Sequence, residues 1–295
     1  MSRVRGPAVA GSFYEATPAK LAASLRECFL HPLGPGSLPA TSDGGARRVS
    51  ALVSPHAGYM YSGPGAANGF AALAADGVPE TVVILGPSHH SVDRRAALST
   101  ADAWRTPLGE VKLDAELAQA LLQCDLIVAD EGAHQSEHSL EVQVPFLQFI
   151  FGERMPMICP ICVRSHPMRS PDQVTSDALA IGRVLASAVG PRQAVVIAST
   201  DFSHQIPQKS AERMDRMALD RILAMDPAGL LEVVAEEGIS MCGPVPVAIA
   251  LAYCQARGDH EAELLRYYTS GDIIGETSAV VGYGSVVLRA KAPSG

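Results

Sequence analysis

The sequence predicts an α/β protein with layered architecture, in which a central mixed, largely parallel β-sheet is flanked by helices. Three observations carry that expectation. Four short apolar runs, at 49–53, 81–85, 157–163 and 194–199, are continuous rather than alternating, the pattern of strands covered on both faces. Stretches with helical spacing, such as 113–122 and 176–188, separate them. With 295 residues, 47% of them hydrophobic, the chain can bury a full core without disulfide or metal staples.

Along the chain, residues 32–45 are rich in Gly, Pro and Ser and read as a long surface loop. No separate core could form before that loop, so it is an insertion (about 32–46) within one domain spanning 1–295. Gly63-Pro-Gly65-Ala-Ala-Asn-Gly69 imitates a dinucleotide fingerprint, but about nine residues separate it from the preceding strand. The next strand ends Ile-Leu-Gly-Pro, without the acidic residue such a site needs. The expected role is a tight turn into a helix beginning near Gly65. Cys159-Pro-Ile-Cys162 has the spacing of a metal or redox pair, yet it lies in a strand. There, positions i and i+3 face opposite sides, so the two sulfurs are expected to be structural. Residues 280–284 and 285–288 read as further strand closing the sheet.

Composition excludes several classes. The net charge of -8 argues against nucleic acid. The first twenty residues lack a secretory h-region, and the longest apolar stretch, 245–254, is far short of a membrane span. A cytoplasmic protein with six reduced cysteines is the expectation.

Three of the four strands run into polar clusters: Ser54-Pro55-His56-Ala57-Gly58-Tyr59, Gly86-Pro87-Ser88-His89-His90, and Thr200-Asp201-Phe202-Ser203-His204-Gln205. Ligands bind beyond the carboxyl ends of strands in open α/β sheets, and parallel neighbours would project all three clusters from one edge. Ser240-Met241-Cys242-Gly243-Pro244 precedes the apolar run 245–253. This places Cys242 at a helix N-terminus, where the dipole favours thiolate; the alternative is a small buried apolar side chain. In Glu137-His138-Ser139-Leu140-Glu141, His138 and Glu141 would share one face of a first helical turn, with Ser139 or Ser136 as N-cap.

With Gly11-Ser12-Phe13-Tyr14, Pro55-His56-Ala57-Gly58-Tyr59, Leu85-Gly86-Pro87-Ser88-His89-His90, Glu137-His138-Ser139, Ser199-Thr200-Asp201-Phe202-Ser203-His204 and Cys242-Gly243 in this order, the chain resembles the Memo-like family over nearly its whole length. That family is similar in fold to the class III extradiol dioxygenases, which hold non-haem Fe(II) with two histidines and a glutamate. The resemblance implies metal ligands at His56, His89 and Cys242, with His204 as acid/base and Asp201 beside it. Cys242 stands where those enzymes have a carboxylate, and a thiolate shifts preference toward softer metals. Iron(II) or copper is the implied cofactor, with zinc the alternative. Phe13, Tyr14 and Tyr59 are candidates for the apolar wall, and His90, His138 and Glu141 for the surrounding shell. Adjacent histidines on an extended segment point apart, so His89 and His90 should not share an ion.

The functional expectation is a metal-dependent oxidoreductase acting on a small-molecule or phenolic ligand. The competing expectation is a non-enzymatic binding or scaffold protein that reuses the pocket for a phenolic or peptide ligand. Family association also implies a radical-SAM protein and a small companion protein as partners in a shared modification pathway. A serine hydrolase is disfavoured, because no G-x-S-x-G elbow is present and Ser, His and Asp share one loop.

Overall fold

The computed structural model describes residues 3–90, 96–163 and 170–291. Its strands are β1 (Val4–Arg5), β2 (Val49–Ser54), β3 (Thr81–Pro87), β4 (Ala96–Leu98), β5 (Ala103–Thr106), β6 (Gly109–Lys112), β7 (Ile127–Ala129), β8 (Met157–Val163), β9 (Ala194–Ser199), β10 (His204–Ile206), β11 (His260–Thr269) and β12 (Val280–Ala290). The α-helices are α1 (Pro18–Leu30), α2 (Tyr59–Ala75), α3 (Ala115–Leu121), α4 (Val144–Phe151), α5 (Pro171–Val189), α6 (Gln208–Leu223), α7 (Pro227–Glu236), α8 (Pro244–Ala256) and α9 (Ser270–Ile274).

The main sheet has nine strands in the order β10-β12-β2-β9-β3-β8-β4-β7, with β11 also paired to β12. Its centre, β2-β9-β3-β8, is wholly parallel. Antiparallel β12 and β4 flank that centre on β2 and β8. The sheet is therefore mixed with a parallel heart, as the continuous apolar runs require. Each central strand is buried along both faces. Val53, Val83, Leu85, Ile161 and Val196 point into one core with α5 and α8, while Leu52, Val82, Ile84, Ile158 and Ile197 point into the other with α2 and α4. Alternation along a pleated strand accounts for the split. It also separates Cys159 and Cys162, which lie in opposite cores, and burial pushes both thiols up. A second, three-stranded sheet, β1-β5-β6, carries the N-terminal segment.

Two expectations need correction. The helix expected near Gly65 begins at Tyr59, so Gly63, Pro64 and Gly65 lie within α2 and not at its start. The glycines there serve close packing, since a Cβ at 63 would stand 2.4 Å from Cys28 Sγ. The C-terminal runs form strand as expected, the single β12, but it lies between β2 and β10 and does not close the sheet. The 32–45 loop has neither helix nor strand, as expected. It is tied down by Asn68 Nδ2 donating to Leu33 O at 3.0 Å and Thr41 Oγ1 donating to Ile150 O at 2.6 Å.

The N-terminal segment is locked by a buried ion pair between Arg5 and Glu141 at 2.7 Å. Arg5 also stands over the Trp104 ring at 4.3 Å and donates to the carbonyls of His134 and Glu137. Removing one partner of a buried pair leaves the other charge uncompensated. Arg5→Met should therefore cost about 3–5 kcal/mol in urea unfolding. Arg105→Met, which breaks the exposed Arg105–Glu110 pair, should cost at most about 1 kcal/mol.

Candidate metal centre

The parallel pairing of β2, β9 and β3 delivers the three sequence clusters to one edge of the sheet. There the side chains of His56, His89 and Cys242 converge, their ligating atoms all within 4.8 Å of one another. His56 follows β2, His89 follows β3, and Cys242 comes from the turn before α8. That turn approaches the end of β9 very closely. A Cβ at Gly243 would stand 2.6 Å from Ser199 O, so only glycine lets Cys242 reach the site. Gly86 has the same role at the end of β3, where a Cβ would stand 2.6 Å from Ser139 Oγ.

Hydrogen-bond partners fix the tautomers. Ser199 Oγ donates to Ser139 O at 2.6 Å and accepts from Gln143 Nε2 at 2.9 Å. With its one proton so engaged, it must accept from His56 Nδ1–H, 2.9 Å away. His56 Nε2 is then an unprotonated lone pair, and it lies 3.2 Å from Cys242 Sγ. His89 Nδ1 donates to the Glu137 carboxylate at 2.9 Å, which likewise frees Nε2. His204 follows the same rule, with Nδ1 donating to Ser240 O at 2.8 Å. A ligand histidine whose second nitrogen donates to a carboxylate or hydroxyl is oriented for metal.

Glu137 organises the His89 side. Its carboxylate is 1% exposed. It accepts from His89 N at 2.6 Å, His89 Nδ1 at 2.9 Å, His138 N at 2.9 Å and Ser139 N at 2.8 Å. Burial pushes the carboxyl up, but these donors together hold it well below the usual carboxylate range. His89, Glu137 and His138 also form a compact donor group. Both Glu137 oxygens are engaged by those donors, and the carboxylate thereby orients His89.

The other expected residues fall in distinct places. His138 stacks on His89 with ring centroids 4.4 Å apart, and meets Phe13 at 4.5 Å with the rings tilted by 47°. Burial, then the neighbouring His89, lowers its pKa to about 4. His90 points away to Ser136 O. Tyr14 and Tyr59 pack on each other at 5.6 Å and line a recess of about 530 Å³ with Phe13. Glu141 faces Arg5 and Tyr14, and His138 precedes the 3-10 turn Glu141–Gln143, so the shared helical face does not form. Ser139 caps no helix; its hydroxyl donates to Pro87 O.

Asp201 is buried, and its carboxylate accepts from His56 N at 2.8 Å, which positions the ligand loop; the imidazole of His204 is held by Ser240. Burial pushes its carboxyl up to about 6 against the His56 and Ala57 amides. Of the two expectations for Cys242, the buried one holds. Cys242 precedes the N-cap Gly243, and Asp201 N donates to its sulfur at 3.1 Å, yet burial pushes the thiol up. Desolvation outweighs both the helix dipole and that donor.

His89, Cys242 and His204 open into a cleft of about 1140 Å³ between α5, α7 and the start of α8. Arg5 and Gln143 complete the arrangement without a signal in the sequence, whereas Glu137, Ser199 and Ser240 stood inside the quoted motifs with no role assigned to them.

Residues 5–287 match the family model of Memo-like proteins. The chain belongs to the Memo-like family. It is 46% identical to a MEMO1 family protein of Methanopyrus kandleri over 286 residues, covering 97% of this chain and 99% of that one. A second MEMO1 family protein, from Methanothermobacter thermautotrophicus, is 45% identical over 283 residues, with 95% and 98% covered. Among solved structures, the uncharacterized protein JW3007 of Escherichia coli K12 superposes with a TM-score of 0.56 at 14% identity, covering 81% of this chain and 99% of that one. That likeness is one of fold. The Memo-like motifs His56, His89 and Cys242 are the residues that meet at the sheet edge.

Asp201 and His138 contribute opposite pH dependences to the stability of the metal-free protein. Asp201 keeps its proton up to about pH 6 when folded, against an ordinary value of 3.8, so the native state binds more protons in that window. Stability from this group therefore falls as pH rises from about 4 to 6. His138 acts oppositely: its contribution is lost as pH falls from 6.5 through about 4. Asp201→Asn should remove the first effect and leave the second. In urea unfolding at pH 4, 5, 6 and 7, the variant should gain on wild type by roughly 3 kcal/mol across the window. A constant difference would show that Asp201 titrates normally.

Proposed function

We propose that this Memo-like protein is a metal-dependent oxidoreductase whose ion is held by His56 Nε2, His89 Nε2 and Cys242 Sγ. The observation that supports it most is the convergence of these three donors with both imidazoles fixed in the ligating tautomer. Two neutral imidazoles and a thiol leave a further coordination position, and the cleft lined by His89, Cys242 and His204 lies on that side. The donor set suits copper or iron(II) as redox-active ions and zinc(II) as a redox-inert one. A bound copper or iron ion supplies one-electron chemistry at the open position, whereas zinc supplies Lewis acidity.

The chain's own groups have separable tasks in this reading. Glu137 and Ser199 orient His89 and His56. Asp201 holds the His56 loop through its backbone amide. His204, with Nδ1 committed to Ser240, presents Nε2 to the cleft as a proton acceptor. Resemblance to the extradiol dioxygenases supports oxygen or small-molecule redox chemistry, and the thiol in place of their carboxylate supports a softer ion than theirs.

Elemental analysis of untagged protein loaded anaerobically with Fe(II), Cu(I) or Zn(II) tests the reading. About one ion per chain is expected in wild type, and none in Cys242→Ser or His56→Ala. Glu137→Gln should retain the site but weaken it about 10–100-fold, measured by chelator competition. Absence of metal under every loading would instead favour the cleft as a binding site alone.

A further inference from the structure

The cleft beyond the donors is much larger than the chemistry at its end requires. Its volume of about 1140 Å³ exceeds the range of roughly 300–1,000 Å³ common for small-molecule sites. Val174 and Leu179 of α5, Leu231 and Val234 of α7, and Ile239 line it. Val174, Leu231 and Val234 pack against the core cluster yet stay only partly buried. Apolar side chains on two packed helices thus keep a face uncovered toward the cavity, and His89, His204 and Cys242 line the same cavity. Covering such area is favourable for whatever apolar group enters.

We propose that the cleft binds a substrate with an extended apolar body, an amphiphile lying between α5 and α7 with its polar end directed at His89, His204 and Cys242. A single-ring compound would leave most of this volume and the Leu231–Val234 face wet. What happens at the polar end rests on the metal reading above; the apolar body does not.

The test is a homologous series, 1-butanol, 1-hexanol and 1-octanol, titrated against metal-free and Zn(II)-loaded full-length protein by displacement of Nile red. Each pair of added methylenes should tighten binding by about four- to fifteenfold, the range for partial to full burial. Ala235→Trp and Thr175→Trp fill the cleft from α7 and α5. Ala235 is exposed and Thr175 half-buried, so neither variant disturbs a fully buried site. Either should flatten the chain-length dependence, while Met60→Trp at the separate recess should leave it intact. Affinity independent of chain length would overturn the proposal, as would a dependence abolished by Met60→Trp and not by the cleft variants. Should metal fail to bind, the dependence persists in metal-free protein. Should the dependence fail while one ion per chain still loads, only this proposal falls.

Discussion

A carboxylate buried to 1% exposure must be surrounded by donors, and at Glu137 that requirement shapes the centre. Its hydrogen bonds take the backbone and ring of His89 from one strand end and the amides of His138 and Ser139 from its own segment. From there the connection continues through Ser139 O to Ser199 Oγ and on to His56 Nδ1. Three strand ends are joined by one chain of hydrogen bonds, every member of which has a direction. The Arg5–Glu141 pair holds the same segment from behind. The N-terminal strand therefore belongs to the site's scaffold although it contributes no donor to it.

The Cys242 side follows a different balance. Cys242 N donates to Asp201 O, Asp201 N donates to the sulfur, and Gly243 N donates to Thr200 Oγ1. These contacts fix the sulfur's place but do not compensate for the loss of water, and burial keeps it a thiol. A cation at the site would invert that preference, because a coordinated thiol gives up its proton. Burial that disfavours thiolate would thus set a bound metal in competition with the proton for the same sulfur.

The parallel heart of the sheet was legible because strands buried on both faces leave a continuous apolar signature, and β8 and β9 carry it at their full length. The meeting of three polar clusters was legible for the same reason, since parallel neighbours end on one edge. Short or half-exposed strands such as β4, β6 and β7 have too few residues to show a period. The start of α2 was misread because Gly and Pro were taken as punctuation, whereas here they let α2 approach Cys28 and Tyr268. Gln143 left no trace, and Ser199 and Ser240 stood in the motifs without a role, because a hydroxyl or amide gains meaning only from what folding places beside it. The Cys242 protonation state stayed open because the helix start is readable in a sequence and desolvation is not.

The contrast between two cysteine pairings explains why the chemistry sits where it does. Cys159 and Cys162 are three residues apart and lie in separate cores, whereas Cys242 and His56 are 186 residues apart and in contact. Inside the sheet, backbone donors and acceptors are saturated by the ladders, and a polar side chain there would find nothing to bind. Beyond the last ladder rung, amides such as those of His56, His89 and Asp201 become free to hold carboxylates and sulfur. Neutral imidazoles and a thiol can be buried there beside carboxylates whose oxygens are held by backbone amides. The strand ends are thus the one layer of this sheet where a donor cluster is compatible with a packed core on either side.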